Sequence, residues 1–346
     1  MPKPHEPVRV AVFGTKPHDR HFLDAAGARF ELQLTFFEPR LDESTTALAA
    51  GFGVVCVFVN DTLNEAVLTA LHTSGTRIVA LRCAGYNNVD LRAAGRLRMV
   101  VVRVPAYSPN AVAEFTVGLI LALDRNIHRA WARVRDNNFA LEGLIGRNLF
   151  GRKIGVIGTG RIGALVAKTF GQGFGCEVLA SDLVHDDALI AAGVRYLDPK
   201  ELFAQADIIT LHCPLTPATR HIVNAAAIAK MRTGVMIVNT SRGALIETKA
   251  LIEGLKSQKI GSVALDVYEQ EADLFFEDLS NEIIDDDVFQ RLLTFPNVLV
   301  TGHQAFLTEE ALAAIAETTL QSIADASAGR PLKFRIGAEY EAEKDG

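Results

Sequence analysis

The sequence predicts an α/β protein built from two doubly wound parallel sheets, and three observations carry this prediction. Short apolar runs alternate with amphipathic segments of helical length from Val8 to about Thr301, which is the pattern of parallel sheets covered by helices. The stretch Pro105-Ala-Tyr-Ser-Pro109 interrupts this alternation, which indicates a crossing between domains. A chain of 346 residues has the length that two such domains need.

The first series of elements lies before the prolines. The expected strands are residues 8–13, 30–36, 54–59, 78–81 and 100–104, with helices or turns near 19–26, 63–73 and 91–94. Phe13-Gly14-Thr15-Lys16 follows the first strand but lacks the glycine spacing of a nucleotide site. We therefore expect an ordinary strand-to-helix turn there.

The second series begins after a strongly apolar helix at residues 111–123, in which Glu114 is the only charge. An Arg-rich amphipathic segment (125–135) and an extended arm (137–150) follow, and this apolar and basic region motivates an oligomer. The expected strands are 154–157, 178–180, a weak one at 194–197, 208–211, 235–239, 263–266 and 298–300. A final helix, 309–328, is long enough to return to the first domain. The expected division is 1–108 with 307–346 as one domain and 109–306 as the other.

The strongest motif follows the strand at 154–157. Gly158-Thr159-Gly160-Arg161-Ile162-Gly163 leads into a helical segment, and a second apolar run ends at Asp182, nineteen residues after Gly163. This is the dinucleotide-binding fingerprint with strand, helix and terminal acid in place. The helix N-terminus would face the pyrophosphate, and Asp182 would accept the ribose hydroxyls. No Arg or Lys follows Asp182 before Arg195, so the sequence predicts NAD rather than NADP.

Composition limits the class of protein. The net charge is −6 with both signs interspersed, which argues against nucleic-acid binding. No apolar stretch is long enough to span a bilayer, so we expect a soluble cytoplasmic protein. The cysteines are widely spaced with no CxxC pattern, and no metal cluster is visible, so reduced thiols and no metal are expected.

Residues that bear chemistry follow four successive strands of the second series. They are His212-Cys213-Pro214, Asn239-Thr240-Ser241-Arg242-Gly243, Asp266 to Glu271, and Thr301-Gly302-His303. Ligands bind at the carboxyl edge of such sheets. An Arg fork suits a substrate carboxylate, and a His beside a carboxylate suits proton transfer near neutral pH. The spacing alone does not choose between His303 and His212, or between Glu271 and Glu269. The other histidines, His221 among them, are expected to be surface or structural residues.

These residues resemble the D-isomer-specific 2-hydroxyacid dehydrogenases, and within them the bacterial fermentative enzymes for D-lactate. The resemblance covers nearly the whole chain, and its most subgroup-specific part is the loop at 273–278. It implies a Rossmann NAD domain inserted into a discontinuous, flavodoxin-like substrate domain. It also implies a homodimer or higher homo-oligomer built on the NAD domain.

The resemblance further implies roles for single residues. Arg242 would bind the carboxylate and polarise the carbonyl of a 2-oxo acid, and His303 would be the general acid/base with Glu271 as its partner. Substrate contacts would come from the backbone at Ala84 and Gly85 and from Tyr107 and Phe306. The implied NAD-binding residues are Gly158, Thr159, Gly160, Arg161, Ile162, Gly163, Asp182, His212, Cys213, Pro214, Thr219, Thr240, Ser241 and Asp266.

The sequence departs from many relatives at two positions: Phe306 stands where some have Tyr, and Leu183 where many have Pro. The expected reaction is the reduction of pyruvate by NADH to D-lactate. Rival substrates are glyoxylate or hydroxypyruvate, 2-oxoisocaproate and phenylpyruvate. A non-enzymatic NAD(H)-sensing scaffold is the rival from another class, and direct measurement of turnover discriminates it.

Overall fold

The computed structural model describes residues 7–271, 274–337 and 339, so Asp273 of the subgroup-specific loop lies outside it. The chain divides into two compact units: Met1–Ser108 with Leu307–Gly346, and Pro109–Phe306. Strands and helices are numbered in chain order. Among the described residues no helix has both the length and the apolar character needed to cross a membrane.

The first unit contains a sheet with the strand order β13-β5-β4-β3-β1-β2. Its parallel part follows the order 2-1-3-4-5 of flavodoxin-like sheets, and only the edge strand β13, which was not predicted, runs antiparallel, against β5. The strands are β1 (Val8–Val12), β2 (Leu32–Phe36), β3 (Val54–Val57), β4 (Ile78–Leu81), β5 (Val100–Val102) and β13 (Arg335–Ile336).

Both faces of this sheet are buried. Val55, Val57 and Val79 pack in one apolar cluster, whereas Val54 and Ile78 pack in another. Alternate strand residues point to opposite faces, so burial on both faces requires the unbroken apolar runs seen in the sequence. The helices of this unit are α1 (Pro17–Gly27), α2 (Glu65–Thr73), α3 (Leu91–Arg96) and α12 (Glu309–Ser327).

Capping side chains set where these helices begin. Asn64 accepts a hydrogen bond from the amide of Val67, so α2 starts at Glu65 rather than at the predicted residue 63. Asp90 caps α3 in the same way. Thr308 caps α12 through the amide of Ala311.

The second unit contains a parallel sheet with the order β12-β11-β10-β9-β6-β7-β8. This is the doubly wound order of a Rossmann domain, in which strand order reverses between β6 and β9. The strands are β6 (Lys153–Ile157), β7 (Glu177–Ser181), β8 (Arg195–Tyr196), β9 (Ile208–Leu211), β10 (Val235–Asn239), β11 (Ile260–Leu265) and β12 (Val298–Val300). The predicted α/β class with two parallel-sheet domains is confirmed.

The helices of the second unit cover both faces of its sheet. The predicted apolar helix is α4, and eight of its residues are buried. A π-helical turn, Thr169–Gly173, extends α6 and was not predicted. The helices are α4 (Pro109–Asp124), α5 (Ile127–Arg135), α6 (Arg161–Lys168), α7 (Asp187–Ala191), α8 (Pro199–Gln205), α9 (Ala225–Lys230), α10 (Thr248–Lys256) and α11 (Asp287–Leu293).

Candidate active site

The glycine-rich turn connects β6 to α6 beside the point where strand order reverses. Gly158 has a φ of +91°, and a Cβ there would lie 2.5 Å from the amide nitrogen of Cys213. A Cβ on Gly163 would overlap the carbonyl oxygen of Gly158, so the helix packs directly on the turn. At Gly160, by contrast, a Cβ would meet no atom within 4 Å. The turn therefore leaves open space at the N-terminus of α6, where a pyrophosphate would sit. The first two residues of α6 are Arg161 and Ile162.

Asp182 directly follows β7, the strand beside β6. Its Oδ2 accepts hydrogen bonds from the amide of Thr159 at 2.5 Å and from the Thr159 hydroxyl at 3.2 Å. Its Oδ1 accepts one from the amide of Val184 at 3.3 Å. The next Arg or Lys in the chain, Arg195, donates to Glu177 at 2.7 Å. A carboxylate held at this strand end suits ribose hydroxyls and repels a 2′-phosphate.

The loops after β9 and β10 carry further residues predicted to bind the cofactor. The Ser241 hydroxyl donates to the carbonyl oxygen of Cys213 at 2.8 Å, which ties the two loops together. The Thr219 hydroxyl donates to the carbonyl oxygen of Pro214 at 2.6 Å. Thr240 is buried beside them. Cys213 and Pro214 follow the carboxyl end of β9, and Thr240 and Ser241 follow that of β10.

His212 and His303 occupy equivalent strand ends but have different environments. Nε2 of His212 lies 2.9 Å from the hydroxyl of Thr210, and burial lowers the pKa of His212 to about 3. A Cβ on Gly163 would lie 3.3 Å from the His212 Cβ, so this residue packs beneath the turn. A histidine that stays neutral near pH 7 lacks the imidazolium form that acts as a general acid.

The imidazole of His303 faces the carboxyl group of Glu271. Its Nδ1 lies 3.0 Å from Oε1 of Glu271, and both side chains are partly buried, at 18% and 23% exposure. Oε2 of Glu271 accepts a hydrogen bond from the amide of Tyr268 at 3.0 Å, which fixes the carboxylate. The Phe276 ring stands 5.6 Å from the imidazole. Nδ1 is therefore the ring nitrogen that faces the carboxylate, and Nε2 lies on the opposite side of the ring.

Asp266 anchors the loop that carries His303. This fully buried carboxylate accepts hydrogen bonds from the hydroxyl of Thr301 at 2.6 Å and from the amides of Gln304 and Ala305 at 2.9 Å. Burial raises the pKa of Asp266, although these bonds and the nearby imidazole oppose the rise. Its contacts are those of a residue that holds the histidine loop in place.

Arg242 follows β10 and precedes the 3₁₀ turn Gly243–Leu245. Asn239 holds its carbonyl oxygen through Nδ2 at 2.8 Å, and Nη1 of Arg242 donates to the carbonyl oxygen of Ser241 at 2.7 Å. A Cβ on Gly243 would overlap the carbonyl of Tyr268, so this turn lies against the segment that leads to Glu271. Within the described chain no carboxylate pairs with Arg242, so its guanidinium is available to an anion.

Glu269 also pairs with a histidine. Its Oε1 lies 2.6 Å from Nε2 of His221, and its Oε2 accepts from the hydroxyl of Thr248 at 2.9 Å. Burial opposes ionisation, but the bonds from His221 and Thr248 outweigh it and lower the pKa of Glu269. The sequence left Glu269 and Glu271 as alternatives; the structure gives each its own histidine. His221 carries no local signal of this pairing, because its partner is 48 residues away.

The residues predicted to contact substrate from the first unit lie at one edge of its sheet. Ala84 and Gly85 follow β4, and Tyr107 follows β5, its parallel neighbour. Nη1 of Arg103 donates to the carbonyl oxygen of Ala84 at 2.8 Å. Phe306, in the second unit, is half-buried and stands three residues after His303.

Comparison with known proteins identifies the family. The model for the D-isomer specific 2-hydroxyacid dehydrogenase NAD-binding domain matches residues 117–305. The chain is 52% identical over 322 residues to D-lactate dehydrogenase of Escherichia coli K12, covering 93% of this chain and 98% of that protein. The chain belongs to the D-isomer-specific 2-hydroxyacid dehydrogenase family. The predicted resemblance is confirmed.

Two further relatives extend this result. A 2-hydroxyacid dehydrogenase homolog of Haemophilus influenzae is 53% identical over 323 residues, covering 93% of this chain and 97% of that protein. The structure of D-lactate dehydrogenase from Aquifex aeolicus, complexed with NAD and lactic acid, superposes with a TM-score of 0.82 at 31% identity. It covers 92% of this chain and 96% of that one.

The dehydrogenase is an oxidoreductase, and its cofactor is NAD. The open space at Gly160, the close packing at Gly163 and the carboxylate at the end of β7 fit this cofactor. Leu183, which replaces the Pro of many relatives, is fully exposed after Asp182. It leaves the contacts of Asp182 with Thr159 in place.

Proposed function

We propose that this dehydrogenase is an NADH-dependent D-lactate dehydrogenase that reduces pyruvate to D-lactate. The observation that carries the proposal is the His303–Glu271 pair at 3.0 Å, in the same unit as an Arg242 guanidinium available to an anion. Similar proteins in Escherichia coli and Curvularia clavata are named D-lactate dehydrogenases. Pyruvate presents the carboxylate and the ketone that these residues suit.

Each residue has a distinct task in this reaction. Arg242 binds the substrate carboxylate through its planar fork and polarises the carbonyl oxygen. NADH, when bound, supplies the hydride that reduces the carbonyl carbon. His303 donates the Nε2 proton to the carbonyl oxygen, and Glu271 stabilises the imidazolium and holds its tautomer. In lactate oxidation the same nitrogen takes the proton back.

The remaining predicted residues bind and orient. Gly158, Gly160 and Gly163 would shape the pyrophosphate site, and Asp182 would bind the adenosine ribose. Backbone amides at Ala84 and Gly85 would hold the substrate carboxylate from the first unit. We place Tyr107 and Phe306 in the pocket for the substrate side chain, and Asp266 near the nicotinamide.

The proposal includes a homo-oligomer built on the second unit and a cytoplasmic location. Helix α5 has no buried residue, and large apolar side chains on it and on the following arm are exposed. The most exposed are Trp131, Phe139, Leu141, Ile145 and Phe150. Such a patch is what subunit contacts cover, so light scattering should give a mass above 37.5 kDa. The four cysteines are buried, which suits a reducing compartment.

The experiment follows NADH oxidation by its near-ultraviolet absorbance with pyruvate as substrate. The wild-type enzyme should turn over rapidly, and His303→Gln should lose roughly a hundredfold or more in kcat while still binding NADH. His21→Gln, at an exposed position of α1, is the matched control. A comparable or higher kcat/KM for phenylpyruvate, 2-oxoisocaproate or hydroxypyruvate would reassign the substrate. Tight NADH binding without turnover on any 2-oxo acid would favour an NAD(H)-sensing scaffold.

A further inference from the structure

The hydroxyl of Tyr196 lies between the glycine-rich turn and the segment that follows Asp182. Tyr196 is the last residue of β8, next to β7. Its hydroxyl is 2.9 Å from the hydroxyl of Thr159, and it accepts a hydrogen bond from the amide of Asp186 at 3.0 Å. The ring stacks on His185, with centroids 4.2 Å apart and planes inclined by 20°. The Tyr196 side chain thus contacts both the glycine-rich turn, which hydrogen-bonds Asp182, and the segment that follows Asp182 in the chain.

The direction of these hydrogen bonds follows from the donors available. A threonine hydroxyl has one proton, and that of Thr159 is donated to Oδ2 of Asp182 at 3.2 Å. The Tyr196 hydroxyl must therefore donate to Thr159, while it accepts from the amide of Asp186. The chain of donors runs from Asp186 through Tyr196 and Thr159 and ends on the Asp182 carboxylate. Such a chain polarises its members in one direction.

We propose that Tyr196 is a positioning residue that sets the affinity and selectivity for NAD by holding Thr159, and through it Asp182. The inference rests on the proposed role of Asp182 in binding the adenosine ribose. Tyr196 touches the carboxylate only through Thr159. Its contacts with His185 and Asp186 also hold the 183–186 segment, which lies next to Asp182 in the chain.

This role separates the two nicotinamide cofactors. NAD gains from an oriented Asp182 carboxylate because its ribose hydroxyls donate to it, whereas the 2′-phosphate of NADP is repelled. Loss of the Tyr196 hydroxyl removes one hydrogen bond from the chain that orients the carboxylate. The Kd for NADH should therefore rise about three- to tenfold, which is what one net hydrogen bond contributes. The Kd for NADPH should not rise. The ratio of the NADPH Kd to the NADH Kd should therefore fall by the same factor as the Kd for NADH rises.

The test is isothermal titration calorimetry of the full-length enzyme with NADH, NADPH and ADP-ribose. Tyr196→Phe should weaken NADH and ADP-ribose by the same factor and leave kcat at saturating NADH unchanged. Thr159→Ala should weaken NADH similarly, Thr159→Ser should bind as the wild type does, and the Tyr196→Phe/Thr159→Ala double variant should lose no more than Thr159→Ala. Thr294→Ala, which removes a hydroxyl hydrogen bond of 2.7 Å to the carbonyl oxygen of Arg291 in the same unit, is the control for NADH affinity.

Three outcomes would overturn the proposal. An equal loss of NADH and NADPH affinity in Tyr196→Phe, or additive losses in the double variant, would mean that Tyr196 does not act through Thr159. An unchanged Kd for NADH in Tyr196→Phe, with a weakened Asp182→Ala variant, would overturn the role of Tyr196 alone. An unchanged Kd in Asp182→Ala would overturn the ribose role of Asp182 and this inference together.

Discussion

Nδ1 of His303 lies 3.0 Å from Oε1 of Glu271, although 32 residues separate them in the chain. The amide of Tyr268 and the buried Asp266 fix the two loops that bring them together. Glu271 lies on the loop after β11 and His303 on the loop after β12, and these two strands are neighbours in the same parallel sheet. The order of the strands in the sheet therefore brings the two side chains together.

Replacing Glu271 by Gln tests what the charge of this pair contributes. The amide keeps the size of the side chain but no longer stabilises the imidazolium. We expect kcat for pyruvate reduction to fall roughly ten- to a hundredfold. Steady-state kinetics of the two proteins with pyruvate and saturating NADH measure this loss. An unchanged kcat would argue against Glu271 as the partner of the acid.

Two glycines of the same turn should respond to alanine in opposite ways. At Gly163 the added methyl would overlap the carbonyl oxygen of Gly158, so Gly163→Ala should cost about 1–3 kcal/mol of stability and lower the Tm. At Gly160 the space is open, so Gly160→Ala should keep its Tm but bind NADH more weakly, since the methyl occupies the pyrophosphate site. Thermal scans and NADH titrations of both variants check this. Equal Tm losses would contradict it.

The largely buried His212 should make the free energy of unfolding depend on pH. Its pKa is lowered from 6.5 to about 3 by burial, so below pH 6.5 the unfolded chain binds a proton that the folded chain excludes. The free energy of unfolding therefore decreases as the pH falls from the pKa of His212 in the unfolded chain towards its pKa in the folded chain. Between about pH 7.5 and about pH 5 this amounts to about 1–2 kcal/mol, less than a fully enclosed imidazole would give because His212 remains partly accessible. As the pH is lowered, the urea midpoint of the wild type should fall more than that of His212→Asn. The same pH dependence in both proteins would refute this role of His212.

The strands and the glycine-rich turn were predictable because their signals are local. Both faces of each sheet are buried, so β3, β4, β6 and β9 had to be continuous apolar runs. The edge strand β13 is two residues long and leaves no such run, so it was not predicted. Side-chain partners such as Tyr196 and Thr159, 37 residues apart, depend on register between strands and escaped prediction for that reason.

His212 and His303 differ in environment and not in spacing. Both follow a strand, and the structure distinguishes them by the burial of His212 and by the carboxylate beside His303. Glu269 and Glu271 presented the same problem. They lie two residues apart, and their separate histidines become visible only when the loops after β9, β11 and β12 are placed together.

Glu269 links the loop before α9 to the start of α10, and its charge should matter more than its size. Its bonds from His221 and Thr248 hold its pKa below 4.5 despite burial, so its contribution to stability is present above pH 4.5 and is lost as the pH falls through the folded value. Glu269→Gln should therefore lower the free energy of unfolding by about 1–3 kcal/mol at neutral pH. The difference from the wild type should be smaller in acid, where the wild-type carboxylate is itself protonated. Because the Arg242 turn packs on the Tyr268–Glu269 peptide, the same variant should raise KM for pyruvate more than it changes the Kd for NADH. Urea unfolding at neutral and acidic pH, with Glu253→Gln on the exposed face of α10 as control, measures the first effect. Steady-state kinetics measure the second, and an unchanged KM would show that the His221–Glu269 pair supports the fold without orienting Arg242.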